Sequence, residues 1–211
     1  MSRIFYIMGK SASGKDKIYG RLAANENLAL KKIVLYTTRP IREKETDGVH
    51  YHFVDEKTLA DFARRGKVIE RRDYRTVAGI WSYATVDDGA VRLERKMPAD
   101  KNGTESGDRG ENYIAIGTLE SYRKIRDYYG NEVVCPIYIE VEDGERLARA
   151  LKREKKQAAP NYEELCRRFL ADSRDFSEEN IRKTGISRRF DNTGELEVCL
   201  KEVEEMILGM I

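Results

Sequence analysis

Residues Ile4-Phe5-Tyr6-Ile7-Met8 form an unbroken apolar run that ends on Gly9, and the polar, glycine-rich stretch behind it leads to Ile18 and Leu22, four positions apart. A run of this kind suits a strand buried on both faces, and the four-residue interval suits a helix from about Lys15. The same reading places strands at Ile33 to Tyr36, Tyr113 to Ile116 and Val133 to Val141, with Pro136 near a bulge or a strand start. A helix from Thr118 to Tyr129 would put Leu119, Tyr122 and Ile125 on one face, and Leu196, Leu200, Val203 and Ile207 mark the stripe of a terminal helix. Strands alternating with helices predict an α/β fold with a mostly parallel sheet covered on both faces.

Two regions break the alternation. Residues 36–95 carry short alternating segments, Tyr51 to Val54 and Tyr83 to Val86 among them, and predict a small antiparallel insertion. Residues 145–176 predict a charged helical pair that turns near Ala158-Ala159-Pro160-Asn161. Segment 96–111, with one proline and three glycines among charges, predicts a flexible loop, which leaves about 1–35, 112–144 and 177–211 for the core of a single domain.

A chain of 211 residues is long enough for one buried core with such excursions. Its 39 basic and 37 acidic residues leave a formal charge of +2, which points to no nucleic acid and no acidic membrane surface as partner. Cys135, Cys166 and Cys199 have neither metal-ligand spacing nor the even count of a disulfide framework, which suggests a reduced, cytoplasmic chain. The N-terminal run is too short and wrongly flanked for a signal peptide, and no stretch reaches the length of a membrane span.

Gly9-Lys10-Ser11-Ala12-Ser13-Gly14-Lys15-Asp16 fits the phosphate-loop pattern Gly-x-x-x-x-Gly-Lys-[Ser/Thr] at every fixed position but the last. It sits between a predicted strand and a predicted helix, where successive N–H groups and the helix amino end converge on phosphate and Lys15 adds a point charge. Asp16 replaces the usual hydroxyl. It either ligates Mg²⁺, directly or through water, or caps the helix.

Downstream, Thr37-Thr38-Arg39-Pro40-Ile41-Arg42 is followed by Asp47-Gly48 and Tyr51-His52-Phe53. With the phosphate loop, this resembles guanylate kinase, whose acceptor segment reads Thr-Thr-Arg-x-x-Arg, then Asp/Asn-Gly and Tyr-x-Phe. The resemblance follows the order of elements through nearly the whole chain, is specific in these two motifs and is patchier after residue 80. It implies a P-loop NTPase-type core with an acceptor-binding insertion and a helical lid, ATP as donor, GMP as acceptor and Mg²⁺ as cofactor. It also implies that Arg39, Arg42 and Tyr51 grip the acceptor phosphate and that Glu70 reads guanine. Two guanidinium forks and a phenol suit a phosphate dianion. In the lid the resemblance implies Arg149, Arg153 and Arg168 above the phosphates, and Asn192 near the donor adenine. Lys15, Arg42 and the lid arginines would then neutralise developing charge, with no strong general base required.

The pattern departs from the family in places. No acid follows Tyr113-Ile114-Ala115-Ile116 on Gly117, the nearest counterpart of a Tyr-Gly-Ser/Thr motif is Ala78-Gly79-Ile80 with Tyr83 as a rival, and Leu35 or Tyr36 stands for a serine. The expected activity is conversion of GMP to GDP. A kinase of another nucleotide or small phosphorylated acceptor, and a non-catalytic guanylate-kinase-like module that binds proteins, are the alternatives. Against the module stands Lys15 in a complete glycine frame.

Overall fold

A computed structural model describes residues 2–76, 79–93 and 110–211. Its centre is β1 (Ile4–Met8), buried along its whole length. On either side lie β7 (Tyr113–Gly117) and β8 (Val134–Glu140), with β2 (Lys31–Lys32) outside β7 and β9 (Arg189–Asp191) outside β8, all parallel. Pro136 lies in the half of β8 that has only β1 beside it, since pairing with β9 begins at Tyr138, so its missing N–H costs no bond on that side.

Alternate residues of a strand face opposite sides, and both sides are covered here. Phe5 and Ile7 pack with Ile18 and Leu22 of α1 (Lys15–Ala23) and with Leu200, Val203 and Ile207 of α7 (Leu196–Leu208). Ile4, Tyr6 and Met8 pack with Leu119, Tyr122 and Ile125 of α3 (Leu119–Tyr129) and Ile181 of α6 (Glu178–Lys183). Thr118 caps α3 by accepting from the Ser121 N–H.

The expected strand from Ile33 to Tyr36 divides between two sheets. Lys31 and Lys32 pair with β7, whereas β3 (Tyr36–Thr37) pairs with β6 (Gly79–Val86) in a second sheet of order β4-β3-β6-β5, completed by β4 (His52–Phe53) and β5 (Val68–Thr76). Apolar patterning reports burial and does not report which strand supplies the hydrogen bonds. The insertion is mixed rather than antiparallel, because β3 and β4 run parallel across the loop that joins them. It also holds α2 (Glu56–Arg64), capped by the Asp55 side chain on the Thr58 N–H, whose Leu59 and Phe62 meet Tyr36, Ala84 and Val86 in a small core.

The charged helical pair is present as α4 (Asp143–Glu154) and α5 (Tyr162–Asp175), with Asn161 capping the second. The predicted loop 96–111 lies outside the described residues except for 110 and 111, and so does Ala78. Among the described residues no helix is long and apolar enough to cross a membrane.

Candidate active site

Gly9 to Asp16 follow the carboxyl end of the central strand, where open parallel sheets bind ligands. A side chain at Gly9 would put its Cβ 2.5 Å from the Ile139 carbonyl oxygen of β8, so the loop turns against the sheet only with glycine there. Gly14 takes φ 84° as the N-terminal cap of α1, and a Cβ on it would overlap the Asn192 amide. Ala12 is also left-handed at φ 64°. For an L-residue this is strained by about 1 kcal/mol, and mixing left-handed with helical residues is the pattern of an anion-binding nest.

Asn192 is buried behind the loop, its Nδ2 donating to the Ser13 carbonyl at 2.7 Å. The resemblance put it beside the donor base; the structure gives its amide a positioning contact under the loop. Lys15 Nζ lies 3.4 Å from Asp16 Oδ2, and the Asp16 side chain is 81% exposed in the first turn of α1. Gly14, not Asp16, is the cap, and no side chain caps this helix.

The first half of the loop is fastened to α4 and α5. The Ser11 N–H donates to Asp172 Oδ2 at 2.7 Å, and Lys10 reaches Asp143 at 3.1 Å. Between these acids lies Arg146, 1% exposed, with Nε 3.0 Å from Asp143, Nη1 3.3 Å from Asp172 and its guanidinium 3.9 Å above the Phe169 ring. The sequence reading missed this residue, because a basic position on a charged helix carries no sign of burial.

The arginines of α4 and α5 expected over the phosphates differ in their engagement. Arg149 spends its guanidinium on Glu145 at 2.7 Å and on the Asn192 and Thr193 carbonyls at 2.9 and 2.8 Å, which bolts α4 to the turn after β9. Arg168 is tied to Glu164 at 2.6 Å, and this carboxyl, shared with Arg167, is pulled down to about 2 by the two guanidinium groups. Among the described residues the Arg153 guanidinium makes no ion pair or hydrogen bond, while its backbone carbonyl accepts from the Lys156 N–H at the end of α4. Arg153 lines both a 270 Å³ cavity shared with Ser11, Arg146 and Arg168 and a 750 Å³ cavity shared with Ala12, Asp16 and Lys17. Lys152 and Lys156 add cations to the larger one, which suits a polyphosphate donor.

In the insertion Arg39 is 3% exposed and fully committed: Nε donates to the Tyr83 hydroxyl at 3.1 Å, Nη1 to the Pro40 carbonyl at 2.8 Å, and Nη2 to both Glu45 oxygens at 2.7 and 2.9 Å. The Arg39 contact holds the Glu45 carboxyl below the usual carboxylate range. Arg39 therefore builds the loop, while Arg42 is exposed and gives only its backbone N–H to Glu45. The Tyr51 ring stands 5.5 Å from Arg39 and 5.7 Å from Tyr83, and burial pushes its hydroxyl pKa up. Tyr83, the rival counterpart of the Tyr-Gly-Ser/Thr motif in the sequence, stands against both Arg39 and Tyr51.

Glu70 is buried, and both its oxygens are occupied. Arg72 donates to it at 3.1 and 3.4 Å, Thr85 at 3.1 Å and Ser121 at 3.2 Å. The missing acid at Gly117 also has a reason: a Cβ there would collide with the Tyr6 hydroxyl.

A family model described as guanylate kinase matches residues 1–88. A guanylate kinase from Paraburkholderia xenovorans is 40% identical over 168 residues, covering 80% of this chain and 64% of that protein. One from Neisseria gonorrhoeae is 41% identical over 90 residues, 43% of this chain and 42% of that one. One from Aliivibrio fischeri is 31% identical over 115 residues, 47% of this chain and 56% of that one, so the match spans about half the length of such relatives. The crystal structure of guanylate kinase from Anaplasma phagocytophilum superposes with a TM-score of 0.59 at 18% identity, over 99% of this chain and 86% of that one, a likeness of fold.

Proposed function

We propose that this chain, whose first 88 residues match the guanylate kinase family model, is an ATP-dependent nucleoside monophosphate kinase of that family that takes GMP as acceptor. The observation that carries this reading is a phosphate loop with Lys15 at the end of the central strand, in one chain with an acceptor segment whose Arg42 side chain is left exposed by the Arg39–Glu45 pair.

The acceptor oxygen already belongs to an anionic phosphate, so the work is positioning and charge neutralisation. Lys15 and the loop N–H groups hold the donor phosphates. Arg42 and Tyr51 hold the acceptor phosphate, in a loop kept in shape by Arg39. Arg153 and Arg168 add charge from the lid once Arg168 leaves Glu164. The residues present fit a hydrated Mg²⁺: exposed Asp16 offers one carboxylate oxygen, and phosphate and water supply the other ligands that this cation prefers. When bound, Mg²⁺ supplies positive charge to the donor's phosphate oxygens.

One observation favours a second acceptor class. The Glu70 carboxylate already has four donors, so a base that does not need it fits the resting site. Steady-state rates with GMP, dGMP, AMP, CMP and UMP, in the presence of ATP and Mg²⁺, test the reading. GMP should be turned over best. Equal or better turnover of AMP or a pyrimidine nucleotide rejects guanine as the acceptor base, and failure to bind ATP rejects the kinase.

Two substitutions check the roles. Arg42→Ala should raise the acceptor KM by about tenfold or more, the scale of one charge-assisted contact, and leave ATP affinity nearly intact. Parallel loss of ATP affinity would move Arg42 to the donor side. Asp16→Asn should shift the Mg²⁺ dependence of the rate to several-fold higher concentration. Its stability should change by at most about 1 kcal/mol, the worth of a first-turn acid on the helix dipole. Superimposable Mg²⁺ titrations would remove Asp16 from the metal's ligands.

A further inference from the structure

We propose that Arg72 is a built-in competitor of the acceptor base, a side chain that occupies the Glu70 carboxylate as guanine would and thereby sets the guanine selectivity of this chain. The inference rests on the reading of Glu70 as the residue that meets the base.

Glu70 and Arg72 lie two apart on β5, so they project from the same face of the strand. The Nε and Nη2 of Arg72 reach the two carboxylate oxygens at 3.1 and 3.4 Å, a forked pair of donors on a forked pair of acceptors. Guanine offers the same chemistry. Its ring N–H and exocyclic amine, joined through one carbon, are themselves a guanidine unit. The base and the arginine therefore ask for the same two oxygens.

Glu70 cannot serve both. Thr85 holds one oxygen at 3.1 Å and Ser121 the other at 3.2 Å, which fixes the carboxylate towards Arg72. The Glu70 side chain is 1% exposed and that of Arg72 is 15% exposed. A 490 Å³ cavity beside β5 is lined by Arg72, Thr118 and Arg123, while Glu70 does not reach its wall. Arg72 thus separates the cavity from the carboxylate. A displaced guanidinium has somewhere to go, because Asp73, Glu120 and Asp175 line the same cavity.

Breaking the Arg72–Glu70 contact subtracts from the binding of a base that must take the carboxylate and from no other. Guanine therefore gains less over adenine or uracil here than an unoccupied carboxylate would give it, and removal of the fork should restore the difference. Arg72→Gln removes both the charge and the fork. Arg72→Lys keeps a cation beside buried Glu70 and removes only the fork, so it guards against a variant that fails for want of a counter-charge.

The test is the KM of GMP, AMP and UMP for the wild-type chain and both variants, with thermal unfolding to confirm that each is folded. The expected result is a GMP KM lower by about tenfold in Arg72→Lys, the scale of one hydrogen bond to a charged group, with AMP and UMP changed by less than about twofold. A GMP KM that stays level or rises in both folded variants, with GMP still turned over, overturns the competitor and keeps the kinase. No GMP turnover by any of the three proteins, with AMP or UMP accepted, overturns the acceptor reading itself.

Discussion

Lys15→Met is expected to lower kcat/KM for phosphoryl transfer by about 10²–10³-fold, the loss that follows removal of one preorganised donor to developing charge. The same substitution should barely move thermal unfolding. Among the described residues the Lys15 ammonium meets only Asp16, at 3.4 Å, and that carboxylate is 81% exposed. Ion pairs open to water contribute little to stability. Catalytic collapse with an unchanged melting temperature would separate phosphate binding from folding at this position. It is checked by steady-state kinetics with ATP and GMP beside a melting curve, and unchanged turnover would take the chemistry away from the loop.

Arg146→Ala should have the largest effect on stability. Its side chain is the largest of the fully buried ones among the described residues, and removing it strands Asp172 beside the Ser11 N–H and leaves Asp143 with Lys10 alone. Asp143 and Asp172 keep 49% and 18% of their side chains open to water, so the loss should stay at or below about 3 kcal/mol, the low end for a buried ion pair, which for a chain of this size lowers the melting temperature by up to about 10 °C. The double substitution Arg146→Leu with Asp172→Ala should recover most of that loss, because it removes the partner charge together with the guanidinium and fills the space over Phe169 with apolar atoms. A double variant as unstable as Arg146→Ala would show that the site depends on packing by the arginine stem rather than on charge balance.

Much of the fold could be read along the chain. The apolar runs at 4–8, 113–116 and 133–141 are the three central strands, and the four-residue intervals in 15–23 and 196–208 are the two helices on one face. Gly9, Gly14 and Lys15 announced the phosphate loop because glycine spacing reflects the backbone's own stereochemistry. These features depend on residues near one another in sequence: periodicity decides which face is buried, and a missing Cβ decides where the chain turns tightly.

The engagement of charged side chains was not legible in this way. Arg39 and Arg42 look alike in the motif, yet one is locked by Glu45 and Tyr83 and the other is exposed. Glu70 meets Ser121, 51 positions away, and Arg149 meets the Asn192 carbonyl, 43 positions away. Gly117 has no side chain because the hydroxyl of Tyr6, on the neighbouring strand, fills the space. The sequence by itself determined most of the order of elements, the buried faces and the tight glycine-rich loop after β1, since short-range stereochemistry and apolar spacing suffice for these. Only the tertiary structure decided which of the local arginine–acid pairs form and which side chains reach across the fold, as Arg146 does to Asp172, Glu70 to Ser121 and Arg149 to the Asn192 carbonyl, because a long charged side chain takes the partner that folding brings within about 3 Å.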